Sequence, residues 1–237
     1  MRHMRGWITG WLAGGMLAAA TLAAAETRPV VVELFTSQGC SSCPPADEFM
    51  HELTRRDDVI ALALHVDYWD YIGWKDSFAQ PAFTERQKAY AKAGKRRSVY
   101  TPQMIVGGLD HVVGTHEEDA LALIARHAAV DHGVALQAQR DGAGQITIRA
   151  QARAGVNGPL VIHLVHYAPL QRVEIARGEN AGKIVDYANV VTIWRSLGEW
   201  DPSVPLAIEA VTDQSDPGVV ILQRSATGPI LAAAHLR

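Results

Sequence analysis

Cysteine is scarce in this sequence: its 237 residues contain only two, Cys40 and Cys43. One pair in a chain of this length is not a disulfide framework of the kind that holds small secreted domains together. A chain this long can bury an adequate core without cross-links. A single Cys-x-x-Cys pair also supplies only half of the four ligands that a structural zinc site needs. The pair therefore calls for an explanation other than bulk stability.

An excess of positive charge is also missing. The chain has 22 Lys and Arg against 25 Asp and Glu, which gives a formal net charge of −3. Nucleic-acid binding needs a basic face that neutralises phosphates, so we expect no nucleic-acid partner. The sequence has no phosphate-binding glycine loop, no dinucleotide fingerprint and no serine nucleophile elbow. These absences argue against nucleotide-dependent enzymes and serine hydrolases.

Long apolar runs are missing after the first 25 residues. The first residues read as a basic start, an apolar stretch rich in Ala and Gly, and a small-residue cleavage signal at Ala23-Ala24-Ala25. This pattern predicts a signal peptide over residues 1–25, and an uncleaved membrane anchor is the competing interpretation. Its removal would leave 237 − 25 = 212 residues and lose Arg2 and Arg5 without any acid, so the charge would move from −3 to −5. We expect a periplasmic or secreted protein with no stable membrane insertion after cleavage.

Hydrophobic periodicity divides the remaining chain into two predicted domains, residues 26–131 and 132–237. The first half predicts a β-α-β-α-β-β-α order. The predicted strands cover residues 30–35, 59–66, 103–106 and 111–113, and the predicted helices cover 44–56, 83–94 and 116–130. Two strands joined by crossover helices, followed by a hairpin and a last helix, are typical of an α/β unit.

The second half predicts an all-β antiparallel sandwich of roughly eight short strands separated by turn signals. One stretch stands out, "GENAGKIVDYANVVTIWR" at residues 178–195, because polar groups crowd beside a strand. It either returns to pack against the first domain or forms an ordinary long hairpin loop.

The cysteine motif resembles that of the thioredoxin superfamily, in which Cys-x-x-Cys follows the first strand of this element order. In that fold a cis-proline opens the closing hairpin and faces the cysteines, and Thr101-Pro102 in "YTPQMIV" stands at this point. Four segments, "ELFTSQGCSSCPPAD", "HVDYWDYIGWKDSFA", "YTPQMIVGG" and "ENAGKIVDYANVV", look like one secreted bacterial thioredoxin-like family catalogued as a domain of unknown function. The resemblance spans residues 29–235 and implies a thioredoxin-like α/β domain, but no measured substrate.

Cys40 and Cys43 are the predicted catalytic pair. A cysteine at a helix N-terminus has a lowered pKa, so Cys40 would attack as thiolate and Cys43 would resolve the mixed disulfide. This predicts a thiol–disulfide oxidoreductase acting on protein thiols, a small thiol or a membrane redox partner. It needs no metal and no cofactor beyond the redox-active disulfide. Two alternatives stay open: a non-catalytic binding or assembly module with a structural disulfide, and a Cu(I)-handling protein that uses His65 and His111.

The resemblance also implies roles for residues outside the cysteine motif. Thr101 and Pro102, with Tyr100 before them, would bind the backbone of a partner. Glu33, an acid within an apolar strand, would accept a proton from the resolving cysteine. The competing interpretation is that Glu33 pairs structurally with a Lys or Arg. The aromatic segment, residues 67–78, is expected to act as a lid or partner-binding surface, or to pack as core.

Overall fold

Three α-helices, one short 3-10 helix at Asp70–Ile72 and eleven strands are found in residues 28–236, the part of the chain that the computed structural model describes. The helices are α1 Pro44–Leu53, α2 Pro81–Ala93 and α3 Glu117–Ala128. The first four strands are β1 Val30–Thr36, β2 Val59–His65, β3 Gln103–Val106 and β4 Asp110–Val113. The other seven are β5 Val134–Arg140, β6 Gln145–Ala152, β7 Leu160–Glu174, β8 Ile184–Trp200, β9 Leu206–Val211, β10 Gly218–Arg224 and β11 Ile230–His235. The order up to α3 agrees with the β-α-β-α-β-β-α expectation.

The strands form one large mixed sheet and one small antiparallel sheet. The large sheet has eight strands in the order β11-β10-β7-β8-β2-β1-β3-β4. Strand β2 lies parallel to β1 on one side and to β8 on the other, where Ala63 pairs with Val190. The small sheet has the order β5-β6-β9 and is antiparallel throughout. The protein is therefore a mixed α/β fold.

The expectation of a separate β-sandwich after residue 131 needs correction. Seven strands follow α3, not eight, because the segments read as two strands at 160–168 and 172–177 share the single strand β7. Four of the seven strands, β7, β8, β10 and β11, extend the sheet of the first half. Only β5, β6 and β9 form a sheet of their own. Local periodicity identifies a strand, but it carries no information about which distant strand pairs with it.

Helices cover both faces of the sheet where the cysteines lie. The alternation of β1 divides its side chains between two cores: Val30, Val32 and Leu34 pack with α1 and α3, whereas Val31 and Phe35 pack with α2. The small sheet packs on the outer part of the large sheet, where β7 and β10 contribute to a third core. None of the helices within residues 28–236 is long and apolar enough to cross a lipid bilayer.

Local signals explain the start of α1 and the β3–β4 turn. Pro44 and Pro45 occupy the first turn of α1, where a missing N–H forfeits no helical hydrogen bond. Gly107 and Gly108 both have positive φ, 61° and 73°, as a tight hairpin turn requires. The proline pair fixes the point at which the chain leaves the cysteine loop and enters the helix.

Candidate functional site

Cys40 and Cys43 form a disulfide in the short connection between β1 and α1. Cys43 is the N-cap residue of α1, and its carbonyl oxygen accepts hydrogen bonds from the N–H groups of Ala46 and Asp47. The two serines between the cysteines are exposed, but Cys40 is only 1% and Cys43 0% exposed. The disulfide predicted from the sequence is therefore present, and neighbouring residues bury both of its cysteines.

Thr101 and Pro102 lie beside the cysteine loop. The peptide bond between them is cis, as expected from the sequence. Ser42 Oγ donates a long hydrogen bond of 3.5 Å to the carbonyl oxygen of Thr101. Tyr100 is half-buried, and its carbonyl oxygen accepts a 2.8 Å hydrogen bond from Gln87 Nε2 on α2. Of the three predicted substrate-binding residues, Thr101 therefore contacts the disulfide loop directly, while Tyr100 is bonded to α2.

The aromatic segment packs over the same loop through its two indoles. Trp69 Nε1 donates to Thr101 Oγ1 at 2.7 Å, and Trp74 Nε1 donates to Gln38 Oε1 at 2.8 Å. A Cβ added at Gly39 would lie 3.2 Å from Trp69 Cβ, so only a very small residue fits there. Tyr71, by contrast, is 81% exposed. The segment is therefore partly a cover for the disulfide and partly surface.

The turn between β7 and β8, residues 175–183, packs on the cysteine loop from the other half of the chain. Asn180 is 1% exposed, and its Nδ2 donates 2.9 Å hydrogen bonds to the carbonyl oxygens of both Gln38 and Cys40. Lys183 Nζ in turn donates to Asn180 Oδ1 at 2.8 Å. Of the two interpretations of residues 178–195, packing against the first half is the one observed.

Glu33 lies on the α2 side of β1, whereas the disulfide leads into α1 on the opposite face. Arg86 donates to its carboxylate through Nε at 2.6 Å and Nη2 at 3.0 Å, and Tyr90 Oη donates at 2.6 Å. The guanidinium of Arg86 also stacks 3.8 Å from the ring centroid of Trp194. Burial raises the pKa of Tyr90 well above its usual value, with the Glu33 charge adding to the effect. This geometry agrees with the structural pairing of Glu33 with an arginine. It does not support the proton-acceptor role of Glu33.

A second buried acid, Asp47, lies in the first turn of α1, four residues after Cys43. Thr36 Oγ1 donates to Asp47 Oδ1 at 2.8 Å, while Asp47 Oδ2 has no hydrogen-bond partner among residues 28–236. Burial raises the pKa of Asp47 to about 7; the charge of His65 and the Thr36 hydrogen bond oppose this rise, and the charge of Asp76 adds to it. A carboxyl with this pKa exists in both protonation states near neutral pH.

His65 and Asp76 form a fully buried pair next to Asp47. His65 Nδ1 lies 2.8 Å from Asp76 Oδ2, and neither side chain has any exposed surface. The Gln38 N–H donates to the same carboxylate oxygen at 2.8 Å. Burial raises the pKa of Asp76, but the His65 charge and these hydrogen bonds outweigh it, so the net pKa is lowered. His65 Nε2 is a further buried atom without a hydrogen-bond partner in the described residues.

The sequence carries a signal for this cluster, although Asp47 alone has the character of an ordinary acid in the first turn of a helix. The helical spacing i, i+3, i+4 and i+7 from Cys43 nevertheless aligns Ala46, Asp47 and Met50 on one face, and that face is buried. Helical periodicity could therefore have identified Asp47 as an inward-facing acid.

The two histidines of the copper alternative have other partners. His65 pairs with Asp76, while His111 Nδ1 lies 3.1 Å from Gln103 Nε2 near α2. Within residues 28–236 no group of three or more His, Cys, Asp or Glu side chains is arranged to hold a metal ion.

Together the fold and site define a mixed α/β protein with a buried Cys-x-x-Cys disulfide at a helix N-terminus, covered by segments from both halves of the chain. A family model described as "Protein of unknown function (DUF1223)" matches residues 31–223, and the chain belongs to this family. The crystal structure of protein AGR_C_4864 from Agrobacterium tumefaciens is similar, with a TM-score of 0.76 and 33% sequence identity over 90% of this chain and 96% of that one. No curated protein matches the chain. The expected membership of a family of unknown function is confirmed.

Proposed function

We propose that the protein is an exported thiol–disulfide oxidoreductase, periplasmic or secreted, whose first half, residues 26–131, is thioredoxin-like. The observation that carries the proposal is the Cys40–Cys43 disulfide in the loop that leads into α1, with the Thr101 backbone beside it. The N-cap residue of α1 is Cys43, not Cys40 as expected from the sequence. A helix N-terminus stabilises a thiolate, which favours Cys43 as the leaving group when Cys40 is attacked. The two exposed serines between the cysteines leave room for a partner to approach.

The proposed reaction is an exchange between this disulfide and a dithiol of a partner protein. A partner thiolate attacks Cys40 Sγ, the bond between the two cysteines breaks, and its electron pair goes to Cys43 Sγ. The second partner thiol then attacks the mixed disulfide and releases Cys40. Two electrons and two protons pass from the partner to this protein, which ends as the dithiol while the partner ends as the disulfide. The reverse sequence, with Cys40 attacking and Cys43 resolving, reduces a partner disulfide.

Partner binding is assigned to the backbone around Thr101, with Tyr100 and Pro102 fixing its position. An extended segment of the partner would lie along this edge and pair with the main chain as an added strand. The predicted partners are extracytoplasmic protein thiols or a membrane redox partner, and no cofactor is needed beyond the cysteine pair.

A second candidate, a binding or assembly module with a structural disulfide, is favoured by one observation. Cys40 and Cys43 are 1% and 0% exposed, whereas an attacked sulfur must become accessible. Under the oxidoreductase proposal the covering segments move aside when a partner binds. Under the second candidate they remain closed and the disulfide never turns over.

Trapping of mixed disulfides distinguishes the two. A Cys43→Ser variant should accumulate covalent partners on Cys40, because the resolving thiol is gone. The matched Cys40→Ser variant should accumulate few or none. Non-reducing electrophoresis and mass spectrometry of tagged protein from the periplasm provide the readout. Equal, background-level trapping by both variants would refute the oxidoreductase proposal and favour the binding module. In that case a Cys40→Ser/Cys43→Ser double variant should retain non-covalent partners and lose only stability.

A further inference from the structure

Opening the Cys40–Cys43 disulfide creates a buried charge. Attack on Cys40 Sγ releases Cys43 as a thiolate, and Cys43 is 0% exposed. Burial in low-dielectric surroundings disfavours the charged form of a thiol, and the N-terminus of α1 offsets only part of this cost. With bulk water excluded from Cys43, a nearby protein group is the efficient source of the proton that neutralises the thiolate.

Asp47 occupies the position from which such a proton can come. It lies one helical turn after Cys43, on the same face of α1, where residues four apart are neighbours. Thr36 Oγ1 fixes its Oδ1, which leaves Oδ2 buried and without a partner in the described part of the chain. A buried carboxylate oxygen with no hydrogen bond is costly, so the protonated form is favoured until the site changes.

The groups that face Asp47 come from each element packed around it. Thr36 faces it from β1 and His65 from β2, while Asp76 acts from the aromatic segment. Tyr187 on β8 is a further neighbour, with its ring centroid 4.8 Å from that of His65. Burial raises the pKa of Tyr187, and the charges of Asp47 and Asp76 raise it further.

The hydrogen bond between His65 and Asp76 has a defined direction. Because the pKa of Asp76 is lowered, its carboxylate accepts a hydrogen bond from His65 Nδ1–H. Nε2 is itself buried without a partner among residues 28–236. A His65 cation stabilises the Asp47 carboxylate, and the Asp76 carboxylate destabilises it.

We infer that Asp47 exchanges a proton with Cys43 when the disulfide opens and closes, and that His65, held by Asp76, is the positioning residue that sets how readily Asp47 releases it. The inference deepens the proposed function and rests on it. In the opening step a thiolate bonds to Cys40 Sγ, the disulfide electron pair goes to Cys43 Sγ, and the Asp47 proton moves to that sulfur directly or through one water. In the closing step the Asp47 carboxylate takes the proton back as Cys43 attacks the mixed disulfide.

The test is the pH dependence of disulfide reduction by dithiothreitol, expressed per dithiothreitol thiolate. Burial raises the pKa of Asp47 to about 7. In the wild type the rate constant should therefore be flat below pH 7 and fall about tenfold per pH unit above it, following the protonated fraction of Asp47. Asp47→Asn, which keeps the size and an oxygen for Thr36, should lose this inflection. The matched control Glu48→Gln, an exposed carboxyl on the same helix, should retain it.

Substitution of His65 gives a second test, because it should shift the inflection in a direction that a purely structural role of Asp47 would not produce. His65→Gln should move the inflection to higher pH, because the His65 charge lowers the pKa of Asp47. Should a variant fail to fold, carbon NMR titration of the Asp47 carboxyl in the oxidised wild type replaces it. Titration near pH 7 supports the inference, and titration below pH 5 overturns it.

Failure of this inference is distinguishable from failure of the proposed function. A wild-type inflection that survives in Asp47→Asn overturns the role of Asp47, even where Cys43→Ser traps partners. Absence of trapped partners overturns the oxidoreductase proposal, even where dithiothreitol kinetics follow Asp47.

Discussion

Asn180 donates a 2.9 Å hydrogen bond to the carbonyl oxygen of Cys40, 140 positions earlier in the chain. Its amide makes a second bond of equal length to the Gln38 carbonyl oxygen. The β7–β8 turn therefore holds the part of the loop that leads into Cys40. The second half of the chain is a part of the candidate site, and this relationship gives a direct way to test how the buried cysteines become accessible.

Replacing Asn180 with Ala should make the disulfide easier to reduce. The change removes the two hydrogen bonds from the turn to the carbonyl oxygens of Gln38 and Cys40, each worth about 1 kcal/mol, together with the bond that Asn180 accepts from Lys183. Reduction by dithiothreitol at a fixed pH should become roughly tenfold faster or more, as followed by thiol release. Asn157→Ala is the matched control, because that exposed amide bonds only to the nearby Gly155 carbonyl. Equal rates in Asn180→Ala and wild type would mean that the turn does not limit access.

The local parts of this site were predictable from the sequence. The strand–cysteine–helix connection and Thr101-Pro102 depend on short-range signals, namely apolar runs, prolines in a first helical turn and hairpin glycines. The covering contacts were not predictable, because they join distant segments. The parallel pairing of β8 with β2, through Ala63 and Val190, has no local signature. It is nevertheless the contact that brings the β7–β8 turn to the cysteines.

The buried acids illustrate a second limit. Glu33 interrupts an apolar strand, and a strand presents successive residues to opposite faces. Glu33 faces α2, and that helix supplies its partner Arg86. No feature of β1 itself indicates this partner. Helical periodicity places Asp47 on the buried face of α1, but the neighbours that it meets there depend on how α1 lies on β1, β2 and β8.

Glu33→Gln should destabilise the protein without altering the pH profile of disulfide reduction. The change leaves the guanidinium of Arg86 buried without its ion-pair partner, for which about 3–5 kcal/mol is typical. Denaturant unfolding of the oxidised protein measures the effect. Asp58→Asn, which breaks an exposed pair with Arg56, is the control and should change stability by less than about 1 kcal/mol. A reduction profile that loses its inflection in Glu33→Gln would instead restore Glu33 as the proton acceptor.

His163 should make the protein sensitive to acid. Burial lowers its pKa to about 4, and the Arg86 charge lowers it further. The unfolded state therefore binds a proton below about pH 6.5 that the folded state binds only below about pH 4, so stability falls as pH drops through this window. His163→Gln, which still accepts the hydrogen bond of Trp194 Nε1, should reduce that fall by up to roughly 3 kcal/mol. Free energies of unfolding at pH 7, 6, 5 and 4 give the comparison. Parallel curves for the two proteins would show that His163 is protonated as readily as in the unfolded chain.

Asp47 should have the opposite effect on the stability of the oxidised protein. Its carboxyl has a pKa of about 7 when folded, against an ordinary aspartate pKa of 3.8, so the folded state holds a proton that the unfolded state releases. The stability associated with the protonated form is fully present below pH 3.8 and is lost as pH rises toward 7, by roughly 3–4 kcal/mol at most.

Asp47→Asn cannot ionise and should therefore gain stability relative to wild type as pH rises from 4 to 7, with no further gain above pH 8. Urea unfolding of both oxidised proteins across this range measures the difference, and Glu48→Gln should track the wild type because its carboxyl is exposed. A wild-type-to-variant difference that does not change with pH would mean that Asp47 ionises in the folded protein as easily as in water. That result would remove the physical basis for a proton held beside Cys43 at neutral pH, since the carboxyl would already have lost it.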